Sequence, residues 1–438
     1  MFKINIQKNA VVLINKTLMM TLLEILIHNM FRFIIIVGIY SIIDYYAWTG
    51  IKTYFVSHHS FQQIRSLYLV SSIITIVGFL LTISMYMNGR GVQSSALNLF
   101  IGIVFIIILP KLFLGFALFI EDICRILAST FQWIRNNEEG WELIPRYRLF
   151  TIIGMSIALL MMLIMIKGVF FNKYRYKVKK VTLYFDNLPS SFDGYKLVQI
   201  SDIHSGSFDN KEKVEKGIEL INAQNPDLVL FTGDMVNMRS EEFIPYIPVF
   251  AKIKARDGKF SILGNHDYGD YIRFNSPLEK WKNLQMLEVY EHRAGFNLLL
   301  NQHQYIKKGT DSIFIAGVEN WGKFPFPKRG KLDVAINGIP NAAFIVLLSH
   351  DPSHWDLEVT KQSKNIALTL SGHTHGMQFG IDFHGFKWSP VQWKYPLWGG
   401  LFHRNGMKLY VNVGFGFIGF PGRVGILPEI TVITLKRK

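Results

Sequence analysis

Residues 196–206 read KLVQISDIHSG, an apolar run of strand length that stops on a serine and then presents Asp202 and His204. The same texture recurs downstream. DLVLFTG (227–233) precedes Asp234, and FSILG (260–264) precedes Asn265, His266 and Asp267. AFIVLLS (343–349) precedes His350, and IALTLSG (366–372) precedes His373 and His375. Ligands in open α/β sheets bind beyond the carboxyl ends of strands, so five runs ending in side chains able to hold a metal point to one shared edge. Residues two apart in extended chain face the same side. On that basis Asp202 with His204, and His373 with His375, are each expected to converge. Gly233, Gly264 and Gly372 stand just before these side chains, where a sharp backbone turn is expected.

Outward from these runs, short apolar stretches alternate with helical patterns. The strand reading is 181–185, 196–201, 227–232, 259–263, 312–317, 343–349, 366–371, 408–413 and 430–435; the helices are about 211–224, 241–254 and 277–287. This alternation argues for an α/β domain over 181–438 with helices covering its sheet. No internal repeat or low-complexity tract interrupts it. The basic stretch NKYRYKVKK (172–180) reads as a linker.

Before the linker the chain has a different solvent in mind. Half of the 438 residues are apolar and only 18% are charged, a balance that points to membrane segments. An all-α transmembrane region is expected over 1–171, with spans near 33–53, 67–87, 97–120 and 150–171, each close to the ~20 residues that cross a bilayer. Residues 10–30 are apolar but interrupted by Lys16, Glu24 and His28, which suits an interfacial amphipathic helix, with a fifth span as the alternative. The start lacks the pattern of a removable signal peptide. Asp44 and Lys111 fall near the middle of the first and third spans, and an isolated charge there is costly, so the two are expected to pair.

The formal net charge is +15. Residues 1–180 carry 18 Lys/Arg against 7 Asp/Glu, so the excess belongs mainly to the membrane-proximal part. That suits headgroup contact and argues against nucleic acid as a partner. With the N-terminus inside, the inner segments hold 11 Lys/Arg and the outer loops 5. The positive-inside rule then places the soluble domain on the cytoplasmic face. The lone Cys124 allows no internal disulfide and no thiolate metal cage.

The motifs SDIHSG (201–206), TGDMVN (232–237), LGNHDYG (263–269), LSHD (348–351) and SGHTHG (371–376) together resemble the calcineurin-like metallophosphoesterase family, and the membrane segments resemble its bacterial membrane-anchored branch. The resemblance implies a four-layer α/β/β/α sandwich and two divalent metal ions (Mn, Fe or Zn). One ion is expected on Asp202, His204, Asp234 and His375, the other on Asp234, Asn265, His350 and His373, with Asp234 bridging. A cation pair of this kind provides hydroxide near neutral pH and offsets charge on the phosphoryl group. The resemblance also gives His266 a catalytic role at the leaving oxygen or in the transition state, with Asp267 expected to orient its imidazole. Asn237 stands where many relatives have Asp, and little consequence is expected. His354 is read as structural.

The implied reaction is hydrolysis of a phosphodiester or pyrophosphate. The anchor suggests a membrane-associated or lipid-linked substrate, such as a UDP-diacylglucosamine-like molecule. The alternatives are a tethered broad-specificity phosphomonoesterase or cyclic-nucleotide phosphodiesterase and, from another class, a transporter or sensor with a regulatory metal domain. Arg404 and Arg423 are candidate substrate contacts. The aromatic segments 268–292 and 377–425 suit either a lipid groove or core packing. The sequence leaves the oligomeric state open.

Overall fold

The computed structural model describes residues 34–87, 95–136, 140–324, 326–383 and 385–438; the amphipathic helix expected over 10–30 lies outside them. Two compact units emerge, one drawing on Met1–Met87 and Val104–Leu163, the other on Asn88–Ile103 and Ile164–Lys438.

Among the described residues four helices are long and apolar enough to cross a membrane: α1 (Ile34–Phe55), α2 (Phe61–Met87), α3 (Ser95–Asn136) and α4 (Arg148–Lys167, prolonged by a π-helical turn to Asn172). At 1.5 Å per residue α3 is about 63 Å long, well beyond a ~30 Å hydrocarbon layer. The span expected from the sequence, 97–120, covers only part of it, and charged residues follow at Glu121, Asp122 and Arg125. The helix continues because those charges are matched. Arg146 pairs with Glu121 and Asp122 at 3.0 and 2.9 Å, and Arg125 pairs with Asp122 at 2.6 Å.

Deeper in this unit Lys111 Nζ lies 2.6 Å from Asp44 Oδ1, so the expected pair forms. The Ser72 hydroxyl donates to the same carboxylate at 2.8 Å, and Tyr40 donates to it at 3.1 Å. Three helices therefore satisfy one partly buried carboxylate.

In the second unit the expected alternation folds into two six-stranded sheets. The first is ordered β1 (Lys177–Phe185), β14 (Glu429–Arg437), β2 (Lys196–Ile200), β3 (Leu228–Phe231), β4 (Lys259–Ser261), β5 (Asn297–Leu298). The second is ordered β12 (Gly400–Arg404), β13 (Met407–Val411), β9 (Leu368–Ser371), β8 (Phe344–Leu348), β7 (Asp311–Gly317), β6 (Gln302–Lys308). A hairpin, β10 (Ile381–Phe383) and β11 (Phe386–Trp388), stands apart. Because β1 starts at Lys177, part of the stretch read as a linker is strand. Its lysines alternate with Val178 and remain at least partly exposed while the backbone pairs in parallel with β14.

Alternation along the strands builds the layers. Leu228 and Leu230 of β3 join Phe344, Val346 and Leu348 of β8 in a core between the sheets. The intervening Val229 and Phe231 face a second core with α5 (Lys211–Asn222), α6 (Ile247–Phe250) and α7 (Pro277–Arg293). Ile345 and Leu347 of β8 face α8 (Leu332–Ala335) and α9 (Ser353–Leu357). The result is an α/β/β/α sandwich. The helix expected over 241–254 shortens to a 3₁₀ segment and one α turn because it carries Pro245 and Pro248.

Register aligns the strand ends. Ile200 pairs with Phe231, Phe231 with Ser261, and Leu348 with Leu370. Gln199 crosses between the sheets to donate to the Ser371 carbonyl at 2.9 Å, tying the two carboxyl-terminal edges together.

Candidate metal centre

Two donor groups form where those edges meet: Asp202, His204 and His375; and Asp234, His350 and His373. Asp234 Oδ2 lies 3.5 Å from His204 Nε2 and 3.2 Å from His350 Nε2, so a single oxygen reaches both groups. Asn265 Oδ1 joins the second group at 2.8 Å from His373 Nδ1 and 3.1 Å from His350 Nε2. All seven side chains expected to bind metal thus come together.

The convergence does not arise from extended i, i+2 geometry. Asp202, His204, Asp234, His373 and His375 all have left-handed backbones, with φ of 51°, 49°, 63°, 73° and 52°. Such strain at non-glycine residues persists only where the surroundings over-determine it, typically at functional sites. Gly233 supplies a turn at φ 94°. Gly264 and Gly372 serve a different purpose. A Cβ on Gly264 would lie 2.2 Å from Asp234 Oδ1, and one on Gly372 would lie 2.3 Å from Asp202 Oδ2.

Hydrogen bonds behind the histidines set their tautomers. His350 Nδ1 meets the Thr232 carbonyl at 2.7 Å, so Nδ1 carries the proton and Nε2 turns a lone pair inward. His373 is reversed: Nδ1 faces the group and Nε2 meets the Tyr395 hydroxyl at 2.8 Å. Tyr395 was not singled out from the sequence, where it is one of many aromatic residues in the segment 377–425.

The donor set fits a cation. The His204 and His375 Nε2 atoms lie 3.0 Å apart with Asp202 Oδ1 3.2 Å from the latter, a grouping of electron pairs that needs a positive centre. Despite burial, the negative charge of Asp234 raises the His350 pKa to about 10, so Nε2 carries a proton unless a cation displaces it and takes the lone pair. Burial holds His204 well below its ordinary value and brings His373 down to about 4, keeping both as neutral donors.

His266 sits beside this centre, its ring 4.9 Å from that of His204 and stacked on Tyr271 at 4.4 Å. Tyr271 also accepts from Asn265 Nδ2 at 2.6 Å, which leaves Asn265 Oδ1 for the histidines. The expectation for Asp267 is corrected. Its carboxylate does not reach His266 but accepts backbone N–H bonds from Asp234, Met235, Val236 and Gly264 at 2.8–3.2 Å. The imidazole is oriented by the Asn237 carbonyl, 2.7 Å from His266 Nδ1. Position 237 therefore matters through its backbone, and the Glu242 carboxylate holds that backbone by accepting the Asn237 N–H at 2.6 Å.

Arg423 does not meet expectation. Arg423 is fully buried, and its guanidinium donates to the carbonyls of Val413, Gly414, Gly416 and His375. A group so committed has no donors left for substrate. It lies behind His375 and sets a positive charge near Asp202. Arg404 pairs with Asp356 and lines a cavity of about 250 Å³ with Lys323, Ser353, Tyr395 and Pro396. His354 lies outside both donor groups, bonded to Ser349 Oγ at 2.8 Å and stacked on Trp321. In the aromatic segment 377–425, Phe415 and Phe417 are core, whereas Phe383, Phe386 and Trp393 are exposed.

Comparison with known proteins agrees with this geometry. A family model described as calcineurin-like phosphoesterase matches residues 195–377, and one described as a probable calcineurin-like phosphoesterase transmembrane domain matches 30–173. A zebrafish transmembrane protein with metallophosphoesterase domain is 30% identical over 60% of this chain, which spans only 57% of that protein's length. An uncharacterized metallophosphoesterase of Bacillus subtilis is 32% identical over 57% of this chain and 82% of its own. One from Helicobacter pylori J99 is 25% identical over 73% of this chain and 80% of its own.

Proposed function

Because this chain belongs to the calcineurin-like metallophosphoesterases, we propose that it is a membrane-anchored hydrolase of phosphate esters whose metal centre is the pair of donor groups joined by Asp234. The observation that carries the reading is the reach of one Asp234 oxygen to a histidine of each group. Asp202, His204 and His375 would hold one ion. Asn265, His350 and His373 would hold the other, with Asp234 common to both. The mixed N/O set without thiolate suits Mn, Fe or Zn. When bound, such a pair supplies Lewis acidity, which makes hydroxide available near neutral pH and offsets phosphoryl charge.

The chain's own groups do the rest. The Thr232 carbonyl holds the proton on Nδ1 of His350, and the Tyr395 hydroxyl anchors Nε2 of His373 so that Nδ1 faces the centre. Asp267 gathers the backbone of 234–236 and of Gly264 onto one carboxylate, holding two ligand-bearing loops in register. His266, held at Nδ1 by the Asn237 carbonyl, would donate from Nε2 to the phosphoryl group or the leaving oxygen in its imidazolium form, the negative charge of a bound phosphate favouring that second proton.

The substrate is read as membrane-associated, a lipid-linked phosphodiester or pyrophosphate being the specific form. Support comes from the short path between the centre and the fourth span. Arg423 contacts His375 through its side chain, and its backbone N–H bonds the Gly168 carbonyl at 3.1 Å. The positive-inside count supports a cytoplasmic face for the domain.

The test is turnover by the full chain in detergent, using bis-p-nitrophenyl phosphate and then lipid phosphates, nucleotide-lipids and cyclic nucleotides. Chelation should abolish hydrolysis and Mn²⁺ should restore it. Folded, metal-loaded protein with no turnover on any of these would refute the assignment. Preference for cyclic nucleotides over lipid-linked esters would refute the substrate class.

A further inference from the structure

The β10–β11 hairpin is two-faced. Ile381 pairs with Trp388 and Phe383 with Phe386, and strand alternation sets these four side chains on one face. The remaining pair, Asp382 and Lys387, takes the other face. Asp382 is fastened to β1, with its carboxylate 2.9 Å from Lys179 Nζ, and Lys179 reaches Glu429 at 2.7 Å. The polar side is thus anchored to the domain. The apolar side faces outward, with Ile381 46%, Phe383 67% and Phe386 61% exposed. A contiguous apolar patch rimmed by charge marks an interaction surface.

What covers it follows from the root of the hairpin. The N–H of Gly380, adjacent to β10, bonds the Val424 carbonyl at 2.9 Å, and the Val424 N–H bonds the Gln378 carbonyl at 2.8 Å. The preceding residue, Arg423, is held by the end of the fourth span. Its N–H meets the Gly168 carbonyl at 3.1 Å, and its carbonyl accepts from Asn172 Nδ2 at 3.2 Å. The contact is tight, since a Cβ on Gly168 would lie 2.4 Å from Val424. The hairpin therefore springs from backbone bonded to the residues with which α4 ends. Lys173, Arg175 and Lys177 follow that end directly. Lys173 is tied to Asp209, but Lys177 remains exposed and lies 3.7 Å from Asp382 of the hairpin; a basic residue beside exposed aromatics suits the headgroup layer, where cations meet anionic lipid and aromatic rings settle at the interface.

We propose that the apolar face of the β10–β11 hairpin docks into the interfacial layer of the bilayer that α4 crosses, giving the domain a second hold on the membrane. The proposal stands on the span and the hairpin and does not depend on catalysis.

The test uses the full chain with Cys124→Ser and single cysteines in place of Ile381, Phe386 or, as a control on the exposed edge strand β6, Tyr305. Each carries an environment-sensitive fluorophore, in nanodiscs of phosphatidylcholine and phosphatidylglycerol with or without headgroup-proximal nitroxide lipid. The expected result is blue-shifted emission at 381 and 386 that is lost with the quencher lipid, while the label at 305 keeps its emission. Equal quenching at all three sites would overturn the proposal. So would a blue shift at 381 and 386 that ignores the quencher, because that would place the face against protein.

Discussion

His266 and Asn237 are joined by a 2.7 Å contact between imidazole Nδ1 and a backbone carbonyl. The neighbouring Asp267 spends its oxygens on four backbone N–H groups instead. Adjacent residues of one motif thus carry separable duties. His266→Ala should lower turnover by roughly 10²–10⁴-fold while metal content and melting temperature stay near those of the parent. Asp267→Ala leaves several buried donors unsatisfied, at about 1–3 kcal/mol each. It should lower the melting temperature and release metal. Steady-state kinetics, elemental analysis and thermal unfolding on the same preparations separate the two, and identical profiles would contradict the division.

Tyr395→Phe tests the tautomer of His373. The substitution keeps the ring among Trp398, Val413 and Ile426 and removes only the hydroxyl at 2.8 Å from Nε2. Loss of such an outer hydrogen bond costs about 10–100-fold in metal affinity or activity. One of two ions should weaken and the other should not, so competition with a chromogenic chelator is expected to turn from one tight phase into two. An unchanged titration would remove Tyr395 from the centre.

The five strand-end clusters were legible because each required a particular residue type directly after an apolar run. The sandwich was legible for the same reason: Val229 and Leu230 face opposite cores, as alternation demands. Edge elements were not. β6 reads QHQYIKK, a polar exposed strand whose pairing with β7 is set by the backbone. Asp267 and Arg423 were misassigned because both look like functional charges in the chain, and only folding reveals that backbone groups consume them. Tyr395 was invisible because its partner His373 is fixed by tertiary contact.

The proposed cytoplasmic placement rests on the distribution of charge. A reporter fused after Lys438 should be active only in the cytoplasm, as green fluorescent protein is, and inactive as alkaline phosphatase. Because the rule counts Lys and Arg near span ends, neutralising Lys173, Arg175, Lys177, Lys179 and Lys180 together should increase the fraction with inverted topology. Alkaline phosphatase activity from the parent fusion would reverse the assignment.

The ion pair of Asp44 with Lys111 yields the last prediction. Both side chains are largely buried, and Ser72 and Tyr40 complete the carboxylate's bonds. Taking away one partner leaves an uncompensated buried charge, which costs about 3–5 kcal/mol. Lys111→Met leaves a carboxylate with two hydroxyl donors, whereas Asp44→Asn leaves an ammonium beside the Tyr68 ring, 4.2 Å from its centre. Each single change should therefore lower the unfolding midpoint in mild detergent. The double variant Asp44→Asn with Lys111→Met carries no net charge at the site and should recover a large part of the loss. Strict additivity of the two losses would mean that the charges do not interact.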